Sequence, residues 1–104
     1  MVKFNITDDV KNEILAELGY NESADESQKN RIEKYIEAGM SYLNRIAGAK
    51  IDFSKDIFAF TLLKTYCRYA NSCAIEFFNE NNLADLQSLH FDYNLKGASK
   101  NEND

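Results

Sequence analysis

The chain contains no proline, and its four glycines stand singly at positions 19, 39, 48 and 97. Proline breaks a helix interior and glycine weakens it, so a sequence poor in both favours long helices over a turn-rich β architecture. Scattered glycines also leave no glycine-rich loop to cradle a phosphate. There is a single histidine, His90, between Leu89 and Phe91, and there are two cysteines, Cys67 and Cys73. An active site needs a nucleophile beside a base, paired carboxylates in a pocket, or a cluster of metal ligands. One histidine flanked by apolar residues supplies none of these and reads as a packed or surface side chain. Glu33 and Glu37 share a helical face, but Lys29 and Lys34 lie beside them, as on an ordinary solvated surface. No catalytic residue, cofactor or metal site is expected, and the chain is not expected to be an enzyme.

A basic excess is missing too. Twelve Lys and Arg stand against 17 Asp and Glu, for a net charge of −5. The imbalance is spread out: residues 1–50 carry seven basic and nine acidic side chains, and residues 51–104 carry five and eight. Phosphate neutralisation supplies much of the affinity of nucleic-acid binders, so DNA binding as the main role is disfavoured. No apolar run approaches the roughly 20 residues of a membrane-spanning helix. The N-terminal Met1–Ile6 is followed at once by Thr7, Asp8 and Asp9, unlike a signal peptide. A soluble protein made in a cytoplasm is the expectation.

What is present is helical periodicity. At 104 residues there is room for one domain, here residues 1–95, followed by a polar tail at 96–104 expected to be disordered. The fold class is all-α, a small bundle of three main helices and a short fourth. Helix 1 is predicted over about 7–18, with Thr7 as N-cap, Val10, Ile14, Leu15 and Leu18 on one face, and Gly19 just past the end. Helix 2 is predicted over about 26–47, with Ile32, Tyr35, Ile36, Met40, Leu43 and Ile46 as its stripe and Gly39 permitting close approach. Helix 3 is predicted over about 54–78, capped by Asp52 or Ser54. It is apolar around well over half its circumference, and only Thr61, Lys64, Thr65, Arg68, Ser72 and Glu76 form a polar strip. A helix of that kind is central to its domain or buries a face against other chains. A fourth helix is predicted over about 83–93, with Asn82 as N-cap and Leu83, Leu86, Leu89 and Tyr93 inward.

Cys67 and Cys73, on one helix, would be rotated by about 240° and separated by about 9 Å along the axis. A disulfide needs Cα atoms within about 7 Å, so they cannot pair and read as buried structural thiols. Lys64 and Arg68 project side by side at a four-residue spacing, with Tyr69 adjacent. Three readings of this pair stand open: a plain solvent face, contacts to carboxylates of a neighbouring subunit, or a face toward DNA in a channel. The subunit-interface hypothesis takes in Lys64, Arg68, Tyr69, Phe77 and Phe78.

Three stretches carry a family likeness. They are Ala38-Gly39-Met40-Ser41-Tyr42-Leu43, Leu63-Lys64-Thr65-Tyr66-Cys67-Arg68-Tyr69-Ala70, and Glu76-Phe77-Phe78-Asn79-Glu80-Asn81-Asn82 followed by Leu83-Ala84-Asp85-Leu86-Gln87-Ser88-Leu89. In this order and spacing the chain resembles, over about residues 8–93, the tailed-phage head–tail connector (head-completion or adaptor) family. These are packing patterns, and their order carries the match. The link between helices 2 and 3 is short here where some members carry a longer loop, so that loop's contacts do not carry over. The resemblance implies a homo-oligomeric ring, a dodecamer in the family, docked on the portal protein in the neck of the virion. DNA would pass through it as cargo, and a stopper or tail-completion protein would bind its other side. The alternative reading is a small helical regulatory or adaptor protein that binds a host or phage partner.

Overall fold

The computed structural model describes residues 8–20 and 25–103, with the backbone course alone for 96–103. Among the described residues the chain is all-helical and has no strand. The helices are α1 (Asp8–Glu17), α2 (Glu26–Ala47), α3 (Ile57–Asn71), α4 (Phe78–Asn81) and α5 (Leu83–Asn103), with a 3-10 turn at Ile75–Phe77. The expected helices 1 and 2 are present. The expected third helix is interrupted, and the fourth runs ten residues further than its expected end at 93.

The spine of the bundle is α2. Asp25 opens it with a capping box: its carboxylate accepts from the Gln28 backbone N–H at 2.8 Å, and the Gln28 side chain accepts from the Asp25 N–H at 3.2 Å. That bonding holds the Asp25 carboxyl below the ordinary carboxylate range. Its inward face, Ile32, Ile36, Gly39, Met40, Leu43 and Ala47, packs against α3 and α5. Gly39 is the contact point with α3. A Cβ there would stand 2.8 Å from side-chain atoms of Leu63 and Tyr66, so the helices approach at glycine spacing. At the far end Gly48 adopts φ 71° and its N–H bonds to the Asn44 carbonyl, which ends the helix.

The Ala49–Phe53 connector contributes to the core. Ile51 and Phe53 are buried, and the Ile51 N–H is held by the Asn44 side chain at 3.0 Å. Asp52 closes a turn by accepting from the Ser54 N–H and hydroxyl, but neither Asp52 nor Ser54 caps α3. Asp56 does. One of its carboxylate oxygens accepts from the Ala59 N–H at 3.0 Å, and the other accepts from the Tyr93 hydroxyl of α5 at 2.6 Å. The cap thereby ties the start of α3 to α5. For α1, the expected Thr7 cap lies outside the described residues. Its C-terminus closes on Gly19 at φ 86°, with Gly19 N–H to Ala16 and Tyr20 N–H to Leu15.

The same pair of bonds ends α3, without a glycine. Cys73 stands at φ 56°, its N–H bonds to the Ala70 carbonyl at 3.1 Å, and the Ala74 N–H bonds to the Tyr69 carbonyl at 2.9 Å. This is the Schellman geometry with a cysteine in the left-handed position. It turns the chain so that Phe78 folds back over the end of α3. There its ring meets Tyr66 (5.2 Å between centroids), Tyr69 (5.7 Å) and Tyr42 (6.1 Å), all edge-on, an arrangement aromatic rings favour. Asn82, expected as an N-cap, instead donates its side-chain amide to the Phe78 carbonyl at 2.9 Å and closes the preceding turn. Along α5, Leu86 and Leu89 are buried and Tyr93 is half-buried against the bundle.

Candidate interaction surface

The five residues expected at an interface are divided by the fold. Lys64 and Arg68 reach α1: Lys64 Nζ lies 3.9 Å from Glu13, and an Arg68 guanidinium nitrogen lies 3.5 Å from Glu17. The two four-residue spacings match because α1 and α3 run in the same direction where they touch. Lys64 also stands 5.1 Å above the Phe60 ring. With Lys11–Glu33 at 3.6 Å, these pairs fasten α1 onto α3 and α2. Each is solvent-accessible and contributes on the order of 0–1 kcal/mol.

Tyr69 is half-buried. Its ring packs on Phe78, and its hydroxyl accepts from the Asn81 side chain at 3.2 Å. Phe78 is 1% exposed and belongs to the core, so it cannot face a neighbour as the fold stands. Phe77, the adjacent residue, is 50% exposed. Of the expected set, Phe77 alone presents a large apolar surface.

The body of α3 finds its partners inside the chain. Ala59, Leu62, Leu63 and Cys67 are buried, and Phe60, Tyr66 and Tyr69 are packed against the core. Its outer strip carries Thr61 and Thr65, whose hydroxyls bond back to the Ile57 and Thr61 carbonyls, together with Arg68. Apolar exposure concentrates elsewhere: at Ile57 and Phe58 where α3 starts, at Ile75 and Phe77 beyond the break, and at Leu83, Phe91 and Leu95 on α5. Ile57 is 81% exposed, Phe91 63% and Leu95 55%. Sequence reasoning assigned Ile57 to the apolar bulk of helix 3 and passed over Phe91 and Leu95. The readable signal was their four-residue spacing on the side of α5 away from Leu86, Leu89 and Tyr93.

The His90 ring Nδ1–H donates to the Ile46 carbonyl at 2.7 Å, while Nε2 accepts from the Asn94 amide at 3.0 Å, an assignment in which both nitrogens are used. The histidine thus bridges α5 to the last turn of α2. Cys67 is buried, and burial pushes its thiol up to about 12, so it is un-ionised at neutral pH. Cys73, expected to be buried, is exposed, because it sits in the turn past α3 rather than on a helix face. Burial raises the Tyr66 phenol, and burial with the hydrogen bond to Asp56 raises that of Tyr93. A shallow, open cleft lies beside Tyr93, lined by Asp52, Lys55, Asp56 and Ile57. Among the described residues there is no group of three or more metal-ligating side chains, and no helix is long and apolar enough to cross a membrane.

Comparison with known proteins yields no matching family model, no matching curated protein and no matching solved structure.

Proposed function

We propose that this chain is a head–tail connector of a tailed phage or prophage. In this reading it forms a ring on the portal protein, with DNA passing through the ring and a stopper or tail-completion protein docking on the far side. The observation that carries the reading is the excess of exposed apolar side chains on so small a chain. Among the described residues seven large hydrophobics are exposed, on α3, the 3-10 turn and α5. Where such side chains adjoin, as Phe91 and Leu95 do at a four-residue spacing on α5, they fit a subunit covered by neighbours in an assembly. The ordered motifs from Ala38 to Leu89 point to the same class. The net charge of −5 suits a conduit that DNA must pass without being gripped.

Within this reading Phe77 is the member of the expected interface set that meets another subunit. Lys64 and Arg68 serve first to hold α1, and Phe78 shapes the surface from beneath. The test is co-sedimentation of the purified chain with the purified portal oligomer of the same phage or prophage. The reading predicts stoichiometric co-sedimentation that Phe77→Asp weakens. No association with the portal, together with a monomeric chain, contradicts it.

A further inference from the structure

Two helix faces, one on α5 and one on α2, are complementary in charge. On α5 the outward strip is Ala84, Ser88, Phe91 and Leu95, all exposed, at alternating spacings of four and three residues. At 3.6 residues per turn these lie along one side of the helix, roughly opposite Leu86, Leu89 and Tyr93. Asp85 and Asp92, also exposed, line one edge of the strip, and neither takes part in an ion pair among the described residues. Phe91 and Leu95 therefore form a raised apolar ridge with an acidic border.

On α2 the outward strip is Arg31, Lys34, Ala38, Ser41 and Arg45, exposed throughout and again spaced by threes and fours. Lys34 and Arg45 are in none of the ion pairs among the described residues; Arg31 donates to the Tyr20 hydroxyl at 3.5 Å, and its charge also favours the ionised Asp25 carboxyl. Ala38 and Ser41 place small side chains between the cations. The acidic residues of α2 sit to one side of this strip, where Glu33 is engaged by Lys11.

We propose that the α5 ridge of one copy seats on the α2 strip of the next. Phe91 and Leu95 lie over Ala38 and Ser41, and Asp85 and Asp92 face Arg31, Lys34 and Arg45. The inference rests on the ring reading, to which it adds the identity of the two faces. A contact between two different patches is heterologous, and such contacts propagate head to tail and close into rings where the rotation per copy allows it. The same helices could not pair with their own kind as well: two α5 ridges would bring four aspartates together, and two α2 strips would bring six cations together.

The test is charge reversal read by sedimentation velocity across concentration. One variant carries Asp85→Lys and Asp92→Lys, and the other carries Lys34→Glu and Arg45→Glu. All four sites are exposed, and circular dichroism checks that helicity is retained. Each variant alone presents like charge on both faces and should associate at least about tenfold more weakly than wild type, since like-charge juxtaposition at an interface costs several kcal/mol. Mixed one to one, the two should recover wild-type association, because each supplies the face the other lacks. Phe91→Ser with Leu95→Ser should weaken association without a change of charge. If wild type assembles and the reversals leave it unaffected, or if mixing gives no recovery, this pairing of faces is overturned and the ring reading stands. If wild type stays monomeric at every concentration, both alone and with purified portal, the ring reading itself fails. Tight binding of a short DNA duplex that Lys34→Glu with Arg45→Glu abolishes would also overturn the pairing, by assigning the α2 strip to nucleic acid.

Discussion

At the scale of single residues, the two cysteines illustrate how neighbours in sequence part company in the fold. Cys67 is buried with its thiol pushed up to about 12, and Cys73 is exposed in a turn. A thiol reagent such as DTNB at neutral pH should therefore modify one cysteine in the native protein and the second only on unfolding, and Cys73→Ser should abolish the fast reaction. Two fast thiols would place Cys67 wrongly. Cys73 also holds a left-handed backbone that costs a non-glycine residue roughly 1–2 kcal/mol. Cys73→Gly should accordingly raise stability by about 1 kcal/mol in urea unfolding, even after the greater chain entropy of glycine is counted. The break at this position was not legible beforehand, since the usual marker of such a turn is glycine and the stretch Asn71-Ser72-Cys73-Ala74 lacks one. Phe77 and Phe78 were indistinguishable for the same reason. Only once the turn is drawn does one face the core and the other solvent.

At the scale of elements, periodicity located the helices and missed how they are joined. The stripe from Ile32 to Ala47 specified α2, and Gly39 within it signalled the close approach that the Leu63 and Tyr66 contacts bear out. The connector between α2 and α3 was read as a link, yet Ile51 and Phe53 are core residues. Too few residues lie there to show a period, so their burial was invisible to pattern. The cap of α3 is the sharpest case. Asp52 or Ser54 was the expected cap, but the helix starts later and the Ala59 N–H bonds to Asp56, whose other carboxylate oxygen accepts from Tyr93, 37 residues away in sequence. Asp56→Ala removes the cap and an acceptor for Tyr93 together and should cost about 2 kcal/mol. Asp52→Ala, which opens only a surface turn, should cost less. Comparable losses, measured by urea midpoint and slope, would mean that the bridge between α3 and α5 carries little.

At the scale of the whole molecule, the all-α class was readable from the missing proline, the scarce glycine and the helical spacing. The distribution of surface was not. The apolar excess credited to helix 3 is satisfied over most of α3 by α1, α2 and Phe78, and the exposed remainder lies at its two ends and on α5. Likewise Lys64 and Arg68, legible as a pair, are engaged by Glu13 and Glu17 of the same chain, a pairing that depends on how α1 docks and so on tertiary structure. The surface left over is a set of apolar points on several elements and two charged helix faces, which the proposed ring would use for contact between its copies. The most direct test of that claim is negative-stain microscopy of the purified wild-type chain at high concentration and on purified portal. The account predicts annular particles with a central opening, coaxial with the portal where it is present. Fields of monomers alone in both samples would contradict it.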